Sequence, residues 1–294
     1  MNTQFKKIGL ITKPNVSEIS ATIQTLCDFL QRAGISVYIN PETAQHVTLS
    51  NGKITPTDSL ADHCDLIVSI GGDGTLLSSA RAVVNTNVPL VGINLGRLGF
   101  LVDISPHEME DKLKDLLEGA YHEEERIILN TQIKRQGNVI HEESAFNEVA
   151  LHRLKAPSLI DLETYVDGVF VNAQRSDGLI IATPTGSTAY ALSGGGPLMH
   201  PSLDAIALVP INPHTLSNRP IIVDGKSEID IKFSQRDQHR AQVTCDNVIL
   251  PELQEGDVIS IKRHSKKVRL LHPTDHDFFN ILRVKLGWSR PPQA

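Results

Sequence analysis

Asp65-Leu66-Ile67-Val68-Ser69-Ile70-Gly71-Gly72-Asp73-Gly74-Thr75 is the stretch on which the reading of this chain turns. Its first half is a short apolar run of the kind that forms a strand buried on both faces. Thr75-Leu76-Leu77-Ser78-Ser79-Ala80-Arg81-Ala82-Val83-Val84-Asn85 follows with helical character. The glycines therefore sit where a strand ends and a helix begins. In open α/β sheets ligands bind outside the carboxyl ends of the strands. A helix start offers N–H groups and a partial positive charge that suit phosphate, and glycine lets the backbone come close to an anion.

Working outward, the first third alternates strand and helix. Lys6–Thr12 reads as a buried strand. Ile19, Ile23, Leu26 and Leu30 recur at helical spacing, with Asn15 and Glu18 as a start signal and Gly34 as a stop. Ser36–Asn40 and Pro89–Asn94 are further strands. Ser105, Pro106 and Glu108 form a capping box for a helix whose face is Met109, Leu113, Leu116 and Leu117. Alternation of this kind predicts a largely parallel, doubly wound sheet.

Near Tyr121 the pattern changes. From there to about Pro273 most apolar runs are short, separated by turn residues, and strand-like, which predicts an all-β, sandwich-like domain. One helical interruption is expected across Thr185–Gly195. The chain ends in a helix marked by Phe278, Ile281 and Leu282. The expected fold is an α/β N-terminal domain with a largely parallel sheet, residues 1–122, and a C-terminal all-β sandwich-like domain, residues 123–273. Residues 274–294 are expected to rejoin the first domain.

Bulk properties exclude several classes. The 294 residues carry a net charge of −6, which argues against general nucleic-acid or anionic-membrane binding. The N-terminal apolar stretch, Ile8–Ile11, is far too short for a signal-peptide core or a membrane span. Cys27, Cys64 and Cys245 are scattered, as expected of free thiols in a reducing cytoplasm. His272 and His276 are four apart but flank Pro273, which breaks any helix that would present both, so no metal site is expected.

GxxxxGK[ST] is absent, and Leu77 occupies the third glycine of GxGxxG. What remains is a glycine loop with a carboxylate at its centre. An anion there repels phosphate, so Asp73 makes sense as the acceptor of a hydroxyl proton while a phosphoryl group arrives. The alternative is a plain Asp-Gly turn.

This Gly-Gly-Asp-Gly-Thr loop resembles that of a kinase superfamily containing NAD kinases, diacylglycerol kinases, sphingosine kinases and 6-phosphofructokinases. Asn147-Glu148 and the run Asp177–Tyr190, which includes Thr183-Pro184-Thr185-Gly186-Ser187-Thr188-Ala189-Tyr190, resemble the NAD kinases among them. Gln174-Arg175-Ser176-Asp177 is similar to the enterobacterial type.

The resemblance implies an ATP-dependent phosphotransferase that acts on the adenosine ribose of NAD to make NADP. A divalent cation, usually Mg²⁺, and a homo-oligomer, dimer or tetramer, come with it. It implies that Asp73 is the catalytic base and that Gly72, Gly74 and Thr75 hold phosphate. Asn147 and Glu148 become dinucleotide contacts. Asp177, Thr185, Thr188, Ala189, Tyr190, Ala191, Leu192 and Ser193 become the rest of the NAD site, and Arg175 a position linked to preference for NAD over NADH.

The residues themselves leave other readings open. Asn147-Glu148 could be a solvated strand end, the hydroxyls of Thr185, Ser187 and Thr188 could cap a helix, Tyr190 could pack in a core, and Arg175 could make a surface ion pair. Val248 stands where many relatives carry Gln, so no nucleotide hydrogen bond is assigned there. A lipid kinase is disfavoured by the low aromatic content and the polar 183–190 run. A hydride-transferring dehydrogenase is disfavoured by the missing fingerprint. A non-catalytic dinucleotide sensor is disfavoured by the intact Asp73.

Overall fold

The computed structural model describes residues 3–12, 19–50, 52–96, 99–154, 159–234 and 241–288. The chain divides into two compact units, 1–125 with 268–294, and 126–267.

The first unit is built on a seven-stranded sheet. Its order is Gly52–Ile54, Ser36–Ile39, Lys7–Thr12, Leu66–Gly71, Leu90–Asn94, Val268–His272 and His122–Arg126. The first six strands pair in parallel. Every residue of Leu66–Gly71 and Leu90–Asn94 is buried, because helices cover both faces of such a sheet. Helix Ser20–Arg32 contributes Ile23, Leu26, Phe29 and Leu30 to the core, and helix Met109–Leu117 contributes its expected face. Gly34 lies past the first helix at φ 78°, the left-handed conformation that stops helices. The start signal at Asn15 and Glu18 falls outside the described residues.

Two expectations change here. The helix begins at Met109, with Ser105-Pro106 in the turn before it. Glu108 still reaches back to the Ser105 N–H at 3.3 Å, so half of the capping box forms. Val268–His272, placed by sequence with the second domain, pairs instead with Leu90–Asn94 in the first sheet. A short apolar strand does not say which sheet it will join.

The second unit is a sandwich of two six-stranded sheets whose recorded pairings are all antiparallel. One runs Val169–Ser176, Ile160–Val166, Ile229–Ser234, Val258–Arg263, Leu129–Arg135, Asn138–Ala145. The other runs Ile221–Asp224, Ala205–Ile211, Gly178–Ala182, Glu148–Arg153, Ala241–Cys245, Val248–Ile249. Alternate residues of facing strands, such as Ile133, Leu162 and Ile259 against Leu151, Leu179 and Val243, fill the space between them. Asp167-Gly168 joins one hairpin with φ 52° and 76°, the geometry that two-residue hairpin turns need. The outer face of the second sheet is also covered. Ala191 and Met199 pack there on Ala150, Ile180, Ala182 and Val209. No helix among the described residues is long and apolar enough to cross a membrane.

Candidate functional site

In the first unit, strand Leu66–Gly71 passes through Gly72 into helix Asp73–Val83. Asp73 is the first helical residue, and the early N–H groups of such a helix have no partner in its own ladder. The Asp73 carboxylate does not dangle. Oδ2 accepts the Phe100 N–H at 2.8 Å and Oδ1 accepts the Leu101 N–H at 3.1 Å. Each oxygen keeps a second lone pair for a ligand hydroxyl. Gly99 makes the approach possible, since a Cβ there would overlap the Asp73 carboxylate. A Cβ on Gly72 or Gly74 would meet only open space, so the rim of the loop is bare enough to admit phosphate oxygens. Thr75 is buried beneath Gly71.

The segment that holds Asp73 is itself tied at its far end. The Asn94 N–H donates to the Ile104 carbonyl at 2.7 Å. Asp103 Oδ2 lies 3.3 Å from His272 Nδ1 and 2.6 Å from His276 Nδ1. Burial pushes the Asp103 carboxyl up, but the hydrogen bonds from the two histidines outweigh it and hold the group well below the usual carboxylate range. The histidines meet without a shared helix. His272 ends a strand, and the turn after Pro273 brings His276 back, its N–H bonded to the Pro273 carbonyl at 3.0 Å.

In the second unit, Asn147 precedes and Glu148 starts strand Glu148–Arg153, and both are buried. Asp246 holds them. Its carboxylate accepts the N–H groups of Phe146, Asn147 and Glu148 at 3.0, 2.8 and 3.2 Å, and its own N–H donates to the Glu148 carbonyl at 2.9 Å. Asp246 adopts φ 50° in the turn after Cys245, a conformation Asp tolerates better than most. The Asn147 carbonyl accepts from the Thr183 N–H and hydroxyl at 2.9 and 3.1 Å. Gly186 passes so close to that carbonyl that a Cβ would overlap it. Asn147 Oδ1 and Glu148 Oε2 are buried with no hydrogen-bond partner among the described residues. Burial, and next the charge of Asp246, push the Glu148 carboxyl up to about 7, against the opposing backbone hydrogen bond of Tyr190.

The other expected residues divide. Thr185–Thr188 form a 3-10 turn and Tyr190–Ser193 a short helix, neither with a side-chain cap. Their hydroxyls are mostly used internally. Arg126 donates to Thr185 Oγ1 at 3.3 Å, Ser187 bonds the Pro184 carbonyl at 2.7 Å, and Thr188 bonds the Thr185 carbonyl at 3.2 Å. Tyr190 is 39% exposed, its ring centroid 6.0 Å from that of His152. Ala191 is buried, Leu192 half-buried and Ser193 exposed. Asp177 is held by Arg153 at 2.6 Å and Asn212 at 3.0 Å. Arg175 lies on the edge strand Val169–Ser176, exposed, with Asp161 3.8 Å away, and the geometry does not bring it to Asn147. Val248 packs against the sandwich core. Sequence reasoning missed Asp246, whose signal is an Asp in a hairpin turn. It also missed the Phe100 and Leu101 N–H groups, which no side-chain motif announces.

The model of the ATP-NAD kinase N-terminal domain matches residues 8–121, and that of the ATP-NAD kinase C-terminal domain matches residues 146–273. The chain belongs to the NAD kinase family. It is 50% identical over 289 residues to the NAD kinase of Methylococcus capsulatus, across 98% of this chain and 99% of that one. The NAD kinase of Hahella chejuensis is 46% identical, with 97% of each chain covered. Among solved structures, yeast NADH kinase complexed with NADH aligns at a TM-score of 0.89 and 26% identity, over 99% of this chain and 93% of that chain. An NAD kinase from Archaeoglobus fulgidus in complex with ATP aligns at 0.72 and 27%, over 94% and 97%. This NAD kinase family member is accordingly a phosphotransferase that moves the γ-phosphoryl group of ATP to the 2′-hydroxyl of the adenosine ribose of NAD, forming NADP.

Proposed function

We propose that the named residues divide this reaction as follows. Asp73 takes the proton of the ribose 2′-hydroxyl. That oxygen forms a bond to the γ-phosphorus, the bond to the bridging oxygen breaks, and ADP leaves. Gly72, Gly74 and Thr75 shape the loop that receives phosphate. Asn147 and Glu148 bind the adenosine of NAD. The single observation that carries this is the pair of buried acceptors with no hydrogen-bond partner among the described residues, Asn147 Oδ1 and Glu148 Oε2, because a buried polar atom needs a hydrogen bond. Tyr190 stacks on the adenine. Thr185, Thr188, Ala189, Ala191, Leu192 and Ser193 form the wall around it, and Asp177 pins the strand ends through Arg153 and Asn212. Arg175, exposed on its edge strand, acts on the choice between NAD and NADH.

The donor set bears on the metal. At the glycine loop the protein offers one carboxylate, and both its oxygens already accept N–H groups. That fits Mg²⁺ carried mainly by ATP phosphates, as is usual for this ion. When bound, Mg²⁺ spreads the phosphate charge; the residues named here position and accept the proton. Val169, Phe170 and Val171 expose apolar side chains on an edge strand, which supports a homo-oligomer, and light scattering reading a monomer at working concentration would remove that element. Cys27, Cys64 and Cys245 are buried and none is joined in a disulfide, which supports a cytoplasmic setting.

The test follows NADP formation from ATP, Mg²⁺ and NAD. Tyr190→Ala is expected to raise the KM for NAD about 10-fold with kcat little changed, since stacking a base on an aromatic ring contributes roughly 1–3 kcal/mol. An unchanged KM would place the adenine elsewhere.

A further inference from the structure

Three side chains that phosphoryl transfer does not use converge in the first unit. Asp103 lies between Leu101 and Ile104, His272 ends strand Val268–His272, and His276 sits in the turn before helix Phe278–Leu286. One ligand-capable atom from each lies within 4.8 Å of the others. The side chains are 14%, 3% and 10% exposed. The two imidazole rings stack at 4.0 Å with 26° between their planes, and both direct Nδ1 at the same oxygen, Asp103 Oδ2.

We propose that Asp103, His272 and His276 form a binding site for one transition-metal dication of Zn²⁺ type, coordinated through the two Nδ1 atoms and Oδ2, with solvent as the fourth ligand. Two imidazoles and one carboxylate favour zinc-like ions over Mg²⁺ or Ca²⁺, which prefer all-oxygen shells. With metal–ligand bonds of about 2.1 Å, neighbouring donors in a tetrahedron stand about 3.4 Å apart. His272 Nδ1 already lies 3.3 Å from Oδ2. His276 Nδ1, at 2.6 Å, has to swing outward, and its place on a turn rather than in the sheet allows that.

A second observation comes from behind the site. His272 Nε2 faces Glu124 Oε2 at 3.5 Å. A carboxylate behind a metal-bound imidazole fixes the tautomer, because the ring proton must leave Nδ1 for Nε2 when Nδ1 takes the metal. The ion would tie the 99–104 segment to the strand at residue 272. Leu101, two residues from Asp103, donates the N–H that holds Asp73, so the site is placed to stiffen the support of the glycine loop without touching substrate.

Full-length protein stripped with EDTA and dialysed is titrated with ZnCl₂ by calorimetry, with no nucleotide present. One Zn²⁺ per chain is expected. His276→Gln and Asp103→Asn are each expected to lose that stoichiometric binding, and Glu124→Gln to weaken it roughly 10-fold. Asp73→Asn is expected to retain it, which separates this site from any metal carried with ATP. Circular dichroism confirms that each variant folds, and Co²⁺ absorbance in the wild type gives a second readout should one not. A wild-type chain that takes up no equivalent of Zn²⁺ and shows no Co²⁺ ligand-field band overturns the proposal. So does undiminished Zn²⁺ binding by folded His276→Gln.

Discussion

Asp73→Asn is expected to lower kcat by about 10²–10⁴-fold while the KM for NAD changes little, the signature of a lost proton acceptor rather than lost binding. The geometry sharpens the test. Both carboxylate oxygens accept backbone N–H groups, from Phe100 and Leu101. An amide in the same place presents an acceptor to one of them and an NH₂ donor to the other. One hydrogen bond is lost and two donors face each other, at a cost of roughly 1–3 kcal/mol. Some loosening of the 99–101 segment is therefore expected alongside the chemical defect. Calorimetric NAD binding separates the two effects. If the variant binds NAD as the wild type does but turns over slowly, the proton acceptor is Asp73. Turnover close to wild type would show that another group takes the proton.

Much of this half of the site is legible in sequence because it depends on local chemistry. Leu66–Gly71 is an unbroken apolar run, and both the strand and the place of the glycines after it follow from that. Period-two alternation similarly exposes Leu129–Arg135 and Ile160–Val166 as half-buried strands. Other features depend on contacts between residues far apart in the chain. Asp246 is about a hundred positions from the three N–H groups it accepts, and nothing near Cys245-Asp246-Asn247 announces its partners. Val268–His272 could have joined either unit until the first sheet was assembled. In sequence, Pro273 forbids a helix that would present the histidines at 272 and 276 as a pair. A turn brings them together by another route, and Asp103 is remote in sequence. The hydroxyls at Thr185, Ser187 and Thr188 show the reverse case. Their polarity reads as ligand binding, but the structure engages Ser187 and Thr188 within the loop and Thr185 with Arg126.

Glu148→Gln is expected to remove a pH-dependent weakness of the ligand-free fold. The Glu148 carboxyl stands at about 7 in the folded chain against an ordinary value of 4.5, chiefly through burial and then through the Asp246 charge. The folded state thus holds its proton more tightly than the unfolded state. Between pH 4.5 and 7 the unfolded chain loses this proton first, so the stability contributed by protonated Glu148 is full below pH 4.5 and declines as pH rises through 7. The loss approaches roughly 3 kcal/mol. Glutamine carries no such proton, so the variant should gain on the wild type by about that amount between pH 4.5 and pH 8, read from urea-unfolding midpoints of the two proteins without ligand. Parallel curves would mean that the folded chain holds the Glu148 proton no more tightly than the unfolded chain does. NAD supplies the complementary arm. A ribose or adenine donor bonded to Glu148 favours its ionised form, so NAD should bind more tightly at pH 8 than at pH 6 in the wild type. That difference should vanish in the variant. The apparent defect of a buried, underpartnered carboxylate is then the feature that lets the protein hold a ligand donor there, at the expense of the empty fold.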